Sequence, residues 1–515
     1  MRLRPLAWAD AQMNRLYGWR GNPLYHTGTL TVALLAVVLV TGVYLLLFYR
    51  IGAPYASVER ITTDYFLGSF NRSLHRYASD AAVVTALLHG LRMLLRGRTW
   101  GARALAWISG MTLVLLLLVC GWTGYVMVWD VQAQVLAQEG ARMFDALPLF
   151  SEPIARSFDG TRPLPGAFFF LNLFAHVALP VGLGLVLWIH VARNARPVLL
   201  PPRTLGYALL GALALGSVLL PAPMAPEANL LRLPVDAPYD VFYAFFLPLT
   251  QLVSGPVALA VLSGGGLLTV VVPWLTKPRA AQVPPPSIVD EHACTGCEQC
   301  YHDCPYEAIA MVARAAPEPG RSALVARVDP GLCTSCGICA GSCAPMVVGP
   351  AGRTGRDQLA KTRLFAAEHR IERRVVLVAC GRGAGSLATT TELDGAPVYT
   401  VFCTGSLHSS VVEYLLRAGA SGVLIASCPP RDCWNREGGV WMEQRMFKGR
   451  EAELMDRVDR RRVKVVWAGA AERGVVRAAL AAFQAEVAKL DAAPPESDPD
   501  VSRDCDVAPL EAGVA

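Results

Sequence analysis

The chain has 515 residues, 53% of them apolar, and a formal net charge of only +6, a length that calls for several domains. So mild a charge, with its basic residues gathered between apolar runs, gives no ground for nucleic-acid binding. Twelve of the fourteen cysteines lie between residues 294 and 433, eight of them in two tight clusters; this spacing excludes a disulfide framework and points to metal in a reducing compartment.

The arginine-containing start, MRLRPLAWADAQMNRLYGWR, runs into an apolar segment with no small-residue cleavage site. No cleavable signal peptide is therefore expected, and the first twenty residues read as an interfacial helix. Six apolar segments can cross a hydrocarbon core about 30 Å thick: A at 29–49, B at 75–95, C at 106–129, D at 168–192, E at 204–221 and F at 257–275. The B-C link carries Arg92, Arg96, Arg98 and Arg103, the D-E link Arg193, Arg196 and Arg203, and Lys277 and Arg279 follow F. The long C-D link is acidic (Asp130, Glu139, Asp145, Glu152, Asp159). The positive-inside rule then places both termini in the cytoplasm of a cell whose inner membrane holds the bundle, with Arg50, Arg60, Arg72 and Arg76 of the A-B link running against the bias.

Segment B opens and closes with histidine, as HRYASDAAVVTALLH at 75–89, and segment D repeats the pattern as HVALPVGLGLVLWIH at 176–190. A fourteen-residue step is about 3.9 turns, so both rings of a helix share a face, about 21 Å apart. Two such helices side by side present two facing pairs, His75 and His89 against His176 and His190, one pair near each membrane surface. Neutral imidazole is an axial haem ligand, and intramembrane ionisable groups are functional candidates; the alternative is hydrogen-bonded core histidines. Gly28 and Gly42 in A, and Gly110 and Gly124 in C, repeat the step. Glycine lets a flat macrocycle lie against helix backbone, although helix packing alone also uses it.

Residues 1–276 resemble the cytochrome b subunits of quinol-oxidising respiratory and photosynthetic complexes, through SLHRYASDAAVVTALLHGLR, GWTGYVMVWD at 121–130 and the second histidine pair. The resemblance implies an all-α six-helix transmembrane bundle, a homodimer, and two b-type haems. One is held by His75 and His176 nearer the outer surface, the other by His89 and His190 nearer the cytoplasm, with Arg72 and Arg76 neutralising propionates. The family's quinol-oxidation site carries Pro-Glu-Trp-Tyr before segment F, whereas this chain reads PYDVFYAFFLP at 238–248. Asp240, with Tyr243 nearby, is the expected replacement proton acceptor; the alternative is a solvated loop acid. His26 stands where photosynthetic relatives attach a further haem through cysteine, so no third haem is expected.

A proline-rich linker, 277–289 with QVPPPS at 282–287, precedes the soluble part. CTGCEQCYHDCP at 294–305 and CTSCGICAGSCAP at 333–345 each follow C-x-x-C-x-x-C-x-x-x-C. Three thiolates at three-residue steps wrap one cubane, and the fourth cysteine reaches the other cluster. Cys294, Cys297, Cys300 and Cys343 then bind one [4Fe-4S] cluster, and Cys333, Cys336, Cys339 and Cys304 the second. Zinc is the alternative, but its sites use separated C-x-x-C pairs. Residues 290–350 resemble bacterial two-cluster ferredoxins, an α+β fold.

Residues 373–490 alternate short β-rich runs (VVLVA, VYTVF, VLIAS, VKVVWAG) with helical stretches near 407–418 and 473–490, the pattern of a small parallel α/β domain. Residues 491–515 read as a disordered tail. Cys380, Cys403 and Cys428 fall just past predicted strand ends, and Cys433 follows. The carboxyl ends of parallel strands converge on one crevice, so the four thiols are expected to meet around a [2Fe-2S] cluster; scattered structural cysteines are the alternative. GRGAG at 381–385 is too short a signal for a phosphate loop, since no ribose-binding acid follows. Residues 373–470 resemble the delta subunit of methyl-viologen-reducing hydrogenases, through VLVACGRGAG and FCTGSLHSSVVEYLLRAGASGVLIASCPPRDC, with GRGAG where the family has further cysteines. The resemblance implies electron exchange with a hydrogenase, a formate dehydrogenase or a heterodisulfide-reductase-type flavoprotein.

The expected function is a membrane redox wire in chain order: outer haem, inner haem, two [4Fe-4S] clusters, a [2Fe-2S] cluster, then a cytoplasmic flavin or iron-sulfur partner. No residues are evident that activate hydrogen, formate or a nicotinamide, which leaves quinone chemistry in the membrane. Ferredoxin-type clusters sit far below quinone in potential, and an inside-negative membrane favours outward electron movement. Quinone reduction by a cytoplasmic partner is the expected direction. A module that anchors a partner and relays electrons without its own quinone site is the rival reading.

Overall fold

The computed structural model describes residues 4–147, 153–158, 160, 164–192, 195–232, 240–279, 283–316, 321–450 and 452–492. Glu152, Asp159, Arg193, the first two residues of PYDVFYAFFLP and nearly all of the 491–515 tail lie outside the described residues.

Among the described residues of the first half there are ten α-helices: α1 (Arg4–Gly21), α2 (Thr27–Phe48), α3 (Pro54–Thr63), α4 (Gly68–Leu95), α5 (Ala104–Val126), α6 (Val131–Phe144), α7 (Gly166–Ala192), α8 (Arg203–Leu219), α9 (Leu247–Leu252) and α10 (Gly255–Thr276). Five of them, α2, α4, α5, α7 and α10, are long and apolar enough to cross a membrane. Segment E becomes α8, which has only 17 residues, about 26 Å against a core of about 30 Å. The six expected spans are thus five full-length helices and one shorter apolar helix. Their outward faces are rich in exposed Leu, Val and Phe, which water would penalise and lipid does not.

Two packed pairs organise the bundle, α2 with α4 and α5 with α7. At one end the B-C link, Arg196 of the D-E link and the C-terminal end of α10 gather beside the soluble part, where Arg196 donates to the carbonyl of His302 and Thr99 bonds Thr276 at 2.6 Å. At the other end Arg72 donates to the carbonyls of Ala222 and Pro223, and Asp130 caps α6 through the N–H of Ala133 at 2.9 Å. The helix expected over the first twenty residues is α1. It exposes Trp8, Leu16 and Tyr17 and turns Asn14 to Glu472 and Trp19 to Trp467.

The soluble part begins with β1 (Ser287–Val289), α11 (Gln299–Asp303), β2 (Ile309–Ala313), β3 (Leu324–Val328), α12 (Ile338–Ser342), β4 (Val348–Pro350) and α13 (Gly355–Glu368). β1 pairs antiparallel with β4, and β2 with β3. Next come β5 (Val375–Cys380), β6 (Glu392–Leu393), β7 (Ala396–Val401), α14 (Ser409–Arg417), β8 (Gly422–Ser427), α15 (Gly438–Phe447), β9 (Val463–Trp467) and α16 (Arg473–Ala492). They build one sheet in the order β6-β7-β5-β8-β9, parallel except for β6. β5 and β8 are buried along their whole length, as parallel strands covered on both faces must be. Leu377 and Ala379 pack towards Val476, Leu480 and Phe483 of α16, while Val376 and Val378 pack towards α14 and α15. The chain leaves β5 for β7 on one side and then crosses to β8 on the other, which opens a crevice at the carboxyl end of β5.

Candidate redox sites

The histidine step brings the rings together as the spacing requires. His75 and His176 face each other with ring centroids 6.4 Å apart at 62°. Half of that, 3.2 Å, equals a metal-nitrogen bond of about 2 Å plus the distance from a ring nitrogen to its ring centre, so one metal fits midway. His89 and His190 also lie close enough to interact electrostatically. Each of the four glycines sits against one of these rings: Gly42 against His75, Gly28 against His89, Gly124 against His176 and Gly110 against His190. Their smallness makes room for the imidazole itself, a closer role than the cradle for a macrocycle that the sequence suggests.

The ring nitrogens are fixed in the sense that ligation needs. His176 Nδ1 lies 2.9 Å from the carbonyl of Cys120 and must donate to it. Thr41 Oγ1 donates to the carbonyl of Val37 at 2.7 Å, so its oxygen accepts from His75 Nδ1 at 3.0 Å; Ser109 does the same between Leu105 and His190 Nδ1, at 2.9 and 3.0 Å. Thr27 stands 3.4 Å from His89 Nδ1. With Nδ1 protonated, Nε2 carries the lone pair. Each of these hydroxyls directly precedes one of the glycines, and so does Thr123, 3.1 Å from His176 Nδ1. The dipeptides Thr-Gly, Thr-Gly, Ser-Gly and Thr-Gly were a readable signal that the glycine step alone did not use. Pro180, inside α7, removes the N–H that would have bonded the carbonyl of His176, and the Cys120 thiol lies 3.8 Å from that oxygen.

The arginines beside His75 have protein partners here. Arg72 holds the 222–223 backbone, and Arg76 bonds Asp80 at 3.0 Å, pairs with Asp240 and lies over the Tyr125 ring at 4.3 Å. Asp240 is buried, not a solvated loop acid. Its Oδ1 accepts from the N–H groups of Phe242 and Tyr243 at 2.8 and 2.6 Å, and its Oδ2 from Arg76 and from Tyr125 at 3.0 Å. Tyr243, also buried, bonds Ser79 at 2.5 Å. The sequence reading missed Asp80, a carboxylate on α4 whose Oδ1 is buried with no hydrogen-bond partner among the described residues.

In the ferredoxin region the crossed pattern of thiols appears in space. Cys294, Cys297, Cys300 and Cys343 line one cavity with Met311 and Val347; Cys304, Cys333, Cys336 and Cys339 line another with Ile309 and Ile338. Glu298 and Gly337, each just after the second cysteine of its run, take positive φ of 64° and 79° and start α11 and α12, which turns the next cysteine back to the same cavity. Backbone N–H groups aim at sulfur, from Ala308 to Cys304 at 3.3 Å and from Val347 to Cys343 at 3.4 Å. Burial pushes the Cys300 thiol up to about 12 and raises Cys336 and Cys339 well above the ordinary range, so thiolates at these buried positions need bound positive charge. Four thiols lining each cavity are a donor set of the kind a [4Fe-4S] cluster takes.

The crevice at the end of β5 collects the last four cysteines. Cys428 Sγ lies 3.6 Å from Cys380 Sγ, and thiol contacts link Cys380 to Cys403 and Cys403 to Cys433. All four are buried, so the donor set fits a [2Fe-2S] cluster. GRGAG closes over them: a β-carbon at Gly383 would come 2.7 Å from the sulfur of Cys428.

Three family models match parts of the chain: Cytochrome b/b6/petB over residues 20–194, 4Fe-4S binding domain over 287–310, and Methyl-viologen-reducing hydrogenase, delta subunit, over 376–491. The menaquinol:cytochrome c reductase cytochrome b subunits of Geobacillus thermodenitrificans and Bacillus subtilis (strain 168) are 25% and 26% identical over 200 residues, covering 34% of this chain and 89% of each relative. A solved chain described as "Hyperthermophilic respiratory Complex III" is similar at 16% identity and a TM-score of 0.39, covering 49% of this chain and 75% of its own. The chain thus joins a haem b-type cytochrome b region, a 4Fe-4S binding region and a domain like the hydrogenase delta subunit in one membrane electron-transfer protein.

Proposed function

We propose that this protein passes electrons between the quinone pool and a soluble partner on the cytoplasmic side, a flavin or iron-sulfur oxidoreductase subunit. The observation that carries the reading is the facing pair His75–His176, with His89 and His190 near each other one fourteen-residue step away, in the same chain as three sets of four thiols. His75 with His176 and His89 with His190 are the proposed ligands of two b haems. Cys294, Cys297, Cys300 and Cys343, and Cys333, Cys336, Cys339 and Cys304, are those of two [4Fe-4S] clusters; Cys380, Cys403, Cys428 and Cys433 those of a [2Fe-2S] cluster. These groups supply one-electron transfer when bound.

The chain's own residues fix the ligand tautomers, keep water from most of the sulfurs, Cys297 being exposed, and hold carboxylates where quinone protons are exchanged. Menaquinol, named in two relatives, makes a menaquinone the leading quinone class. Asp240 makes four hydrogen bonds and acts chiefly as the clamp of Arg76, while Asp80 keeps an oxygen free to take a proton. The test is a reduced optical spectrum followed by quinone turnover in Asp80→Asn and Asp240→Asn. Two b-type α-band components are expected, with turnover falling more in Asp80→Asn; unaltered turnover in both variants leaves a relay without its own quinone site.

A further inference from the structure

Chain order sets the two ferredoxin sites between the membrane helices and the last cysteines, but the fold sets the last cysteines against the helices. Arg92 follows His89 by one helical turn on α4 and pairs with Asp10 at 2.7 Å and with Asp432 at 2.6 Å. Asp432 precedes Cys433, and Arg98 donates to the carbonyl of Cys433 itself at 2.6 Å. On its far side the four-cysteine site abuts the second ferredoxin site. The turn after Cys403 presses on α12, where a β-carbon at Gly337 would meet Ser406 Cβ at 3.1 Å and one at Gly341 would meet the carbonyl of Gly405 at 2.9 Å. Gly337 and Gly341 flank Cys339. The first ferredoxin site takes Cys343, just past the other end of α12, and its Cys297 is exposed.

We infer that the four-cysteine site is the redox site next to the membrane, standing between the His89-His190 pair and the Cys304-Cys333-Cys336-Cys339 site, with the Cys297 site as the solvent-facing end of the series. The inference rests on the cofactors proposed above. Each step moves one electron between neighbouring sites with no bond made or broken. Two electrons that reach the membrane, with two protons, convert one quinone to quinol; the donor is a reduced one-electron carrier of the soluble partner. The competing route runs through Tyr306, which lines the second ferredoxin cavity and bonds Arg103 of the B-C link. It bypasses the last four cysteines.

The test uses the full-length protein in detergent, with a ruthenium photoreductant tethered to a cysteine in place of exposed His292, beside the first ferredoxin site, in a Cys505→Ser background. Flash reduction is followed by the rise of the haem α-band, and the clusters are counted by electron paramagnetic resonance. In Cys380→Ser/Cys428→Ser the intramolecular haem phase is expected to slow by an order of magnitude or more while both ferredoxin signals persist. Arg98→Met, which keeps all ligands, is expected to slow it severalfold with all three cluster signals intact, and it decides the matter where the double variant does not fold. An unaltered phase in the variant that folds overturns the order and favours the Tyr306 route. Absence of a third cluster signal in the unmodified protein overturns the cofactor reading instead, and the inference with it.

Discussion

A β-carbon at Gly124 would sit 2.8 Å from Cε1 of His176, and one at Gly28 3.0 Å from Cε1 of His89; at such separations the imidazole has to move. Gly124→Ala is expected to displace His176 and remove the haem proposed for the His75–His176 pair, seen as loss of one of two α-band components in reduced membranes with the other retained. Gly110→Ala, where the distance is 3.3 Å, is expected to keep its haem with a shifted potential. These positions were legible because fourteen residues is close to four helical turns and the histidines declare the same step. The hydroxyls before each glycine were equally visible but carry meaning only once Nδ1 has a partner. Asp80 was not legible at all: at four residues from Arg76 it reads as an ordinary helical ion pair, and only burial shows an oxygen left over.

The strands and their cysteines were well marked, because a fully buried parallel strand is a short apolar run and Cys380, Cys403 and Cys428 stand at or just past such runs. The GRGAG turn was not, since a glycine-rich turn says nothing of what it covers. Gly383→Ala places a methyl 2.7 Å from the Cys428 sulfur; the expected result is loss of the third cluster signal, with about ten iron atoms per chain in place of about twelve. The start of α14 adds a pH dependence. His408 accepts from the N–H of Ser410 at 3.1 Å, so its Nε2–H donates to the carbonyl of Cys343 at 3.2 Å, tying this helix to the ferredoxin region. Burial, with Arg445 nearby, lowers its pKa to about 4 from 6.5. The unfolded chain therefore binds the extra proton between those values, so stability is full above pH 6.5 and falls as pH drops towards 4, by up to about 3 kcal/mol. His408→Asn keeps a capping side chain and loses the titration; the fall in Tm between pH 7 and pH 5 is expected to be smaller in the variant than in the unmodified protein.

The seam between the membrane helices and the soluble part is where the sequence reading reached least, because its partners are hundreds of residues apart and no local pattern links them. The arginines of the B-C link read as topology signals, and they serve that purpose wherever the soluble part lies on the cytoplasmic side. The fold gives them a second task. Arg92 and Arg96 share Asp10 and Asp432 in a buried four-charge cluster, and Arg436 reaches the carbonyls of both Pro305 and Ala195. Burial raises the pKa of Asp432 and the arginines pull it back. Asp432→Asn leaves two guanidinium groups on the single carboxylate of Asp10. Truncating one partner of such a buried pair costs about 3–5 kcal/mol, which at the lower end weakens docking of the C-terminal domain on the helices about 100-fold. The expected result is faster hydrogen exchange across residues 431–434 and the C-terminal end of α4, with the four cysteines and their cluster signal retained. Conserved protection of both segments in Asp432→Asn would show that the soluble part is held on the membrane by other contacts, and that the charge cluster does no more than neutralise itself.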